Sequence, residues 1–459
     1  MFRLSVAARA LGARWRGDDV SITRVTMDSR VVRSGDLFVA IKGPRFDGHD
    51  FVDQAVKQGA AAVLVSKEAV LGDSEPPAII VEDVRLAYGR LASWWRSMFS
   101  IPLVAITGSN GKTTVKEMLA SILREEAGVE AVLATRGNFN NDIGMPAMLL
   151  ELEPGHRFAV IEMGMNHLGE IAYLTRLACP TIALVNNAGT AHIGELGSVE
   201  AIARAKGEIF SGLGDEGVAI INADDAFADY WRSLVAGKRM VEFGLGRRAD
   251  VSASYELSET GSLITFNTGQ GRFAATLGVP GLHNVKNALA AVAAAVALEV
   301  GEASIVAGLG AYRGVAGRLQ RRELPSGDVL IDDTYNASPE SVRAALSVLG
   351  ASSGRKVFVL GDMGELGETA ASMHSELGGF ARRAGVDHLL ALGELSAEAV
   401  NAFGDGGEHF ERPDALLIAL RDLLDGSTTV LVKGSRFMRM ERIVKSLEGG
   451  SMIAAGGAS

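Results

Sequence analysis

Between Val104 and Thr114 an apolar strand, Val-Ala-Ile-Thr, runs into Gly-Ser-Asn-Gly-Lys-Thr-Thr. Gly108, Ser109, Asn110 and Gly111 can turn backbone N–H groups onto phosphate oxygens. Lys112 brings a point charge for the β- and γ-phosphates, and Thr113, followed by Thr114, sets a hydroxyl at a helix start where Mg²⁺ can be ligated. These residue types suit the binding and cleavage of a nucleoside triphosphate. The spacing departs from the general G-x-x-x-x-G-K-[ST] loop, because position 106 is Ile and the loop's first glycine is Gly108. It reads as a tightened variant, against the plainer reading of a Gly/Asn turn with a chance Lys-Thr.

Three further residues extend that chemistry. Glu162 closes the strand-like Phe158 to Ile161, and a carboxylate at the end of a neighbouring strand is a second anchor for the metal of a phosphate loop; a structural strand-end Glu is the alternative. His192 follows the strand-like Thr181 to Val185 and can approach the same edge as a ligand of a second metal, or stand as a structural loop histidine. Lys206 falls inside an apolar helical stripe made by positions 199, 202, 203, 209 and 210. Such an amine either snorkels to the rim or stays inside with a lowered pKa, neutral and able to take up CO₂ as a carbamate. Asn284, Arg318 and Asp333 offer an amide for adenine, a guanidinium for a triphosphate and a carboxylate for ribose hydroxyls.

Those residues need a scaffold of parallel strands. The chain has 459 residues, 47% of them hydrophobic, which suits about three domains. The fold class expected is α/β: a small N-terminal α/β domain over 1–98, a central phosphate-loop ATPase domain with a parallel sheet over 99–314, and a Rossmann-like C-terminal domain over 315–459. Strands alternate with helices through both larger segments, and residues 249 to 280 read as a small antiparallel insertion. Strands from Asp328, Lys356, His388 and Thr429 all end in polar or glycine turns, the edge where open α/β sheets bind ligands. The net charge of −10 argues against nucleic acid. A single cysteine, Cys179, fits a reducing, cytoplasmic setting. No apolar run reaches 18 residues, so no membrane span is expected. The acid-free, arginine-bearing N-terminus reads as the first helix of the first domain, and the Gly/Ala/Ser-rich end from Glu448 to Ser459 as a frayed tail.

Taken together the motifs resemble the Mur ligase family, ATP-dependent amide ligases of peptidoglycan precursor synthesis, over nearly the whole chain. That family's T-G-x-x-G-K-T loop is matched by Thr107 to Thr113 and accounts for the Ile at 106. Four stretches are similar to the branch that joins D-alanyl-D-alanine to UDP-N-acetylmuramoyl-tripeptide: Phe38 to Phe51, Ala205 to Gly212, Gly361 to Gly367 with His374, and Val432 to Arg436. The branch that installs the third amino acid carries an Asp-Asn-Pro-Arg signature absent here, and ranks second. Folylpolyglutamate synthases lack a first domain with Asp28-Ser-Arg30, and rank third.

The resemblance implies roles. Lys112 binds the terminal phosphates, Thr113 and Glu162 one Mg²⁺, His192 with carbamylated Lys206 a second, and Asn284, Arg318 and Asp333 the nucleotide. Ser29 and Arg30 grip the uridine diphosphate; Asn138, Asn140 and Asn141 lie along the peptide, whose third residue is a lysine or a diaminopimelate. Tyr335, Asn336, Lys433 and Ser435 are candidates for the incoming dipeptide. Pro44 stands where the family more usually has Glu. A monomeric enzyme working through an acyl phosphate is implied, serving cell-wall synthesis and, through it, cell shape and division. A phosphotransferase that joins nothing is the competing class.

Overall fold

The computed structural model describes residues 1–66 and 76–449; the sequence-expected tail lies outside it from residue 450. The α/β class is as expected, in sheets that follow one another along the chain. The first has five strands in the order Arg14–Arg16, Ala78–Ile80, Ala62–Val65, Asp36–Val39 and Arg24–Thr26, parallel except for the first pair. A two-stranded antiparallel pair, Phe2–Arg3 with Ser21–Ile22, sits beside it.

The second sheet has six parallel strands, ordered Arg239–Phe243, Val218–Asn222, Ile182–Val185, Leu103–Thr107, Phe158–Glu162 and Val132–Ala134. Its central strand is completely buried, and the side-chain period of two divides it: Leu103 and Ala105 enter one core, Val104 and Ile106 the other. The first core continues through the helix Val84–Arg96 into the first sheet, so those two sheets share one apolar body. The second core takes the phosphate-loop helix Lys112–Ala127 and the alanine-rich helix Leu282–Ala297. The antiparallel insertion, Ser252–Leu257, Ser262–Thr268 and Gly271–Leu277, covers that side.

The last sheet runs Gln320–Glu323, Val329–Asp333, Thr429–Lys433, Lys356–Gly361, His388–Leu392 and Gly407–Phe410, with only the first pair antiparallel. Helices Pro339–Gly350, Ala370–Arg383 and Pro413–Asp422 cover its faces. No described helix is long and apolar enough to cross a membrane.

Candidate active site

The phosphate loop is shaped by a set of asparagines. Gly111 has φ +80°, and a Cβ there would stand 2.3 Å from Asn287 Oδ1 and 2.6 Å from Asn186 Nδ2. Asn186 Nδ2 donates to Asn287 Oδ1 (3.1 Å) and to the Asn110 carbonyl (2.9 Å). Asn187 brackets the same residue, accepting from the Asn110 N–H at Oδ1 (2.8 Å) and donating to its carbonyl (3.0 Å). Asn222 holds the Asn186 carbonyl from the next strand (2.9 Å). These pairings fix the loop before any ligand arrives, the preorganisation that electrostatic stabilisation requires. Ser109 is bound to Gly189, and Thr114 is buried beside the Tyr312 hydroxyl. Lys112 Nζ folds back on the Gly108 carbonyl at 2.7 Å; burial lowers its pKa, with Glu162 opposing and Arg318 adding to the effect.

Around the loop stand the acidic and basic partners. Thr113 Oγ1 donates to Glu162 Oε2 (2.8 Å), and Asn140 Nδ2 holds Glu162 Oε1 (2.8 Å). Lys206 has no exposed surface and its Nζ has no hydrogen-bond partner. Burial, reinforced by the Lys112 charge, drives its pKa well below the ordinary lysine value, while Glu162 and Glu208 pull the other way. The side chain is therefore inside, as an amine that favours the neutral form. His192, with φ +68°, places Nδ1 2.8 Å from Glu365 Oε2 but off the angle of a hydrogen bond.

These donors can be tested against Mg²⁺, which prefers hard oxygens. Glu162 and the Thr113 hydroxyl suit one ion that also holds phosphate oxygens. A second ion has less: no cluster of three His, Cys, Asp or Glu exists among the described residues, and a free lysine amine offers no oxygen. The residues fit that ion only once Lys206 carries a carbamate.

The last segment reaches into the same site. Arg318 Nη2 donates to Thr113 Oγ1 (3.0 Å), with its guanidinium 4.2 Å from the Tyr335 ring centroid. Asp333 is buried; Oδ2 pairs with Lys433 Nζ at 2.6 Å and Oδ1 accepts from Leu319 N–H. Lys433 also donates to the Asn336 carbonyl (2.8 Å), and Ser435 Oγ accepts from Gly364 N–H (2.8 Å). Tyr335, Asn336, Lys433 and Ser435 thus form one cluster at the carboxyl edge of the last sheet. Asn284 already donates Nδ2 to the Pro280 carbonyl (2.8 Å), and it is Asn287 that touches the loop.

Of the three peptide-side asparagines only Asn140 reaches Glu162. Asn141 accepts from Gly144 N–H at Oδ1 (2.8 Å) and so caps a helix, while Asn138 is exposed. All three line a cleft of about 560 Å³ together with Arg85 of the first segment. Ser29 and Arg30 stand apart at an edge of the first sheet, Ser29 buried and Arg30 paired to Asp28. His374 is structural in its bonds, accepting from Met363 N–H at Nε2 (2.9 Å) with Nδ1 2.7 Å from the Ala370 carbonyl. Asn186, Asn187, Asn222 and Asn287 are absent from the sequence-based reading; their one signal is position, at strand ends and a helix start beside the loop.

A phosphate loop on the central strand of a parallel sheet, met by an arginine from the turn that leads into a second sheet, is the arrangement on which the comparisons converge. The chain matches the Mur ligase family, catalytic domain over residues 21–96, the Mur ligase middle domain over 106–295, and the Mur ligase, glutamate ligase domain over 317–436. It belongs to the Mur ligase family and is an enzyme of the ligase class. Among its relatives, the Escherichia coli UDP-N-acetylmuramoyl-tripeptide--D-alanyl-D-alanine ligase is 42% identical over 97% of this chain and 98% of its own length. A MurF crystal structure from Acinetobacter baumannii is 40% identical, with a TM-score of 0.91 over 97% of this chain and 98% of that one. MurF from Thermotoga maritima in complex with ADP is 29% identical, with a TM-score of 0.82 over 94% and 98%.

Proposed function

We propose that this chain joins D-alanyl-D-alanine to UDP-N-acetylmuramoyl-tripeptide, cleaving ATP to ADP and phosphate. The observation that carries the reading is convergence on Thr113: Glu162 and Arg318 both hydrogen-bond its hydroxyl, and Asn140, which lines the cleft, holds the other oxygen of Glu162. The phosphate loop, the cleft and the last segment are thereby linked through Thr113 and Glu162. A full-length relative named for this reaction supports the choice of substrates.

A carboxylate is a poor electrophile because its charge is shared by both oxygens. In the proposed path a carboxylate oxygen of the tripeptide takes the γ-phosphoryl group, giving an acyl phosphate as the bond to ADP breaks. The dipeptide amine then attacks the carbonyl carbon, a C–N bond forms, inorganic phosphate leaves with the C–O bond electrons, and the amine gives up a proton. Lys112 swings from the Gly108 carbonyl to the phosphates, and Arg318 opposes the charge that builds on the transferred group. Mg²⁺ bound at Thr113 and Glu162 supplies further charge neutralisation. Lys433, held by Asp333, and Ser435 face the dipeptide, Asp333 and Asn284 the nucleoside, and Ser29 and Arg30 the uridine diphosphate. Carbamylation of Lys206 forms a bond from Nζ to CO₂ with loss of a proton, turning an amine into an oxygen ligand that works with His192.

The test is phosphate release with UDP-tripeptide and a panel of acceptors. Release that requires D-alanyl-D-alanine supports the ligase; ADP formed without any acceptor indicates a simple phosphotransferase, and turnover of a UDP-dipeptide with a free diamino acid indicates the branch that adds the third residue. For Lys206, the Ala variant should lose at least about a hundredfold in kcat, the scale of losing one charge-stabilising group, with partial recovery in short carboxylic acids. An Ala variant of undiminished rate sinks the carbamate role.

A further inference from the structure

The cleft of about 560 Å³ is lined by Asn140, which holds Glu162, and has a wall built from two segments of the chain. On that wall Arg85, in the first turn of the helix Val84–Arg96, hydrogen-bonds through Nε to Asp142 Oδ2. The bond uses one of the five N–H donors of a guanidinium. Among the described residues, neither Nη of Arg85 nor Oδ1 of Asp142 has a hydrogen-bond partner.

Arg85 is also the sole basic side chain among the described residues lining the cleft. Of the cleft's carboxylates, Asp83 caps Leu86 N–H through Oδ1 and Glu170 accepts from the Asn166 and His167 N–H groups through Oε2, and Asp142 is the one bonded to Arg85. The Arg85–Asp142 pair thus presents a forked donor edge next to a carboxylate oxygen. That pairing is complementary to a group bearing both –COO⁻ and –NH₃⁺ on one carbon, with the fork on the carboxylate and Asp142 on the ammonium. A side chain ending in an ammonium alone would satisfy Asp142 and leave the Arg85 edge unmatched.

The spacing also suits one residue of the acid substrate. Asp142 is two positions from Asn140, a span of at most about 7 Å. In a diaminodicarboxylic acid the distal amino-acid carbon is four carbon–carbon bonds of about 1.5 Å each from the carbon bearing the reacting carboxylate. With that carboxylate beside Glu162, the distal group arrives at Arg85 and Asp142.

On the ligase reading above, we propose that Arg85 and Asp142 read the side-chain end of the tripeptide's third residue, and that they select a diaminodicarboxylic acid such as diaminopimelate over lysine. The two residues are specificity determinants remote from the reacting bond.

The experiment measures phosphate release dependent on D-alanyl-D-alanine, with UDP-tripeptides ending in diaminopimelate or in lysine, for the full-length wild type, Arg85→Gln, Arg85→Lys and Asp142→Asn. Wild type should favour the diaminopimelate peptide in kcat/KM by about ten- to a hundredfold, the worth of a charge-assisted hydrogen bond. Arg85→Gln should remove that preference through KM, Arg85→Lys should keep part of it, and Asp142→Asn should raise KM for both peptides, since both carry the ammonium. Wild type that turns over both peptides equally overturns the proposal, as does an Arg85→Gln variant that weakens both by the same factor, the result expected of a strut between segments. Wild type that releases phosphate with neither peptide overturns the ligase reading and the proposal together.

Discussion

His283 illustrates how one side chain can set a pH dependence in this site. Burial, with the Lys433 charge adding to it, lowers its pKa from 6.5 to about 4. The unfolded chain therefore binds a proton that the folded chain refuses between those values, and stability falls as pH drops from about 6.5 to about 4. The shift bounds the loss at about 3 kcal/mol. Urea unfolding of wild type and His283→Gln across pH 7.5 to 4 should show wild type losing more of its stability; parallel curves would exclude the effect. Lys206 belongs to the same scale and was legible as a charge inside an apolar stripe. The asparagines at 186, 187, 222 and 287 were not, since Asn at strand ends and helix starts equally serves turns and caps, and only the three-dimensional neighbourhood tells loop-shaping from capping.

The asparagine set acts through an element, the strand–loop–helix that carries the phosphates, and Gly111 shows how closely it is fitted. A methyl group at Gly111 meets both Asn287 and Asn186 in a left-handed backbone conformation. Gly111→Ala should cost about 2 kcal/mol or more in stability and weaken ATP binding at least about tenfold. Gly128→Ala, beyond the far end of the same helix, is a control: φ is +95° and nothing lies within 4 Å of its Cβ position, so strain is its only cost. Titration with a fluorescent ATP analogue separates the two, and equal affinities would contradict the fit. Buried parallel strands such as Leu103–Thr107 announce themselves by an unbroken apolar run. The edge strands Val132–Ala134 and Gly407–Phe410 carry weaker patterns because one side of each is unpaired, Arg239–Phe243 has only an isolated bridge to Val251 on its outer side among the described residues, and the sequence reading passed over all three.

Between the central and last sheets polar contacts accompany the packing of Ile193 against both cores, a mixed junction of the kind that permits domain motion. Glu340, in the first turn of Pro339–Gly350, accepts from Thr190 N–H (2.8 Å) and Oγ–H (3.0 Å). Ser338 Oγ donates to Asn110 Oδ1 (2.9 Å), and Gly194 N–H to the Glu365 carbonyl (2.9 Å). Arg318 on Thr113 joins the same two parts of the chain, so these contacts and the placing of that arginine belong together. Three-domain architecture was readable from strand order, whereas this junction was not, because Thr190, Glu340 and Ser338 are ordinary surface residues until two segments 150 positions apart are brought together. Glu340→Ala removes the partner of two Thr190 donors and should shift the balance toward a separated arrangement by about tenfold, the value of a single hydrogen bond to a charged group. Small-angle scattering of the unliganded variant should then give a larger radius of gyration than wild type, a difference that ATP analogue with UDP-tripeptide reduces. In phosphate release KM for ATP should rise with kcat falling, because each turnover must rebuild the junction before Arg318 meets the phosphates. Scattering profiles and kinetics that match wild type would mean that the Glu340 contact follows closure without contributing to it.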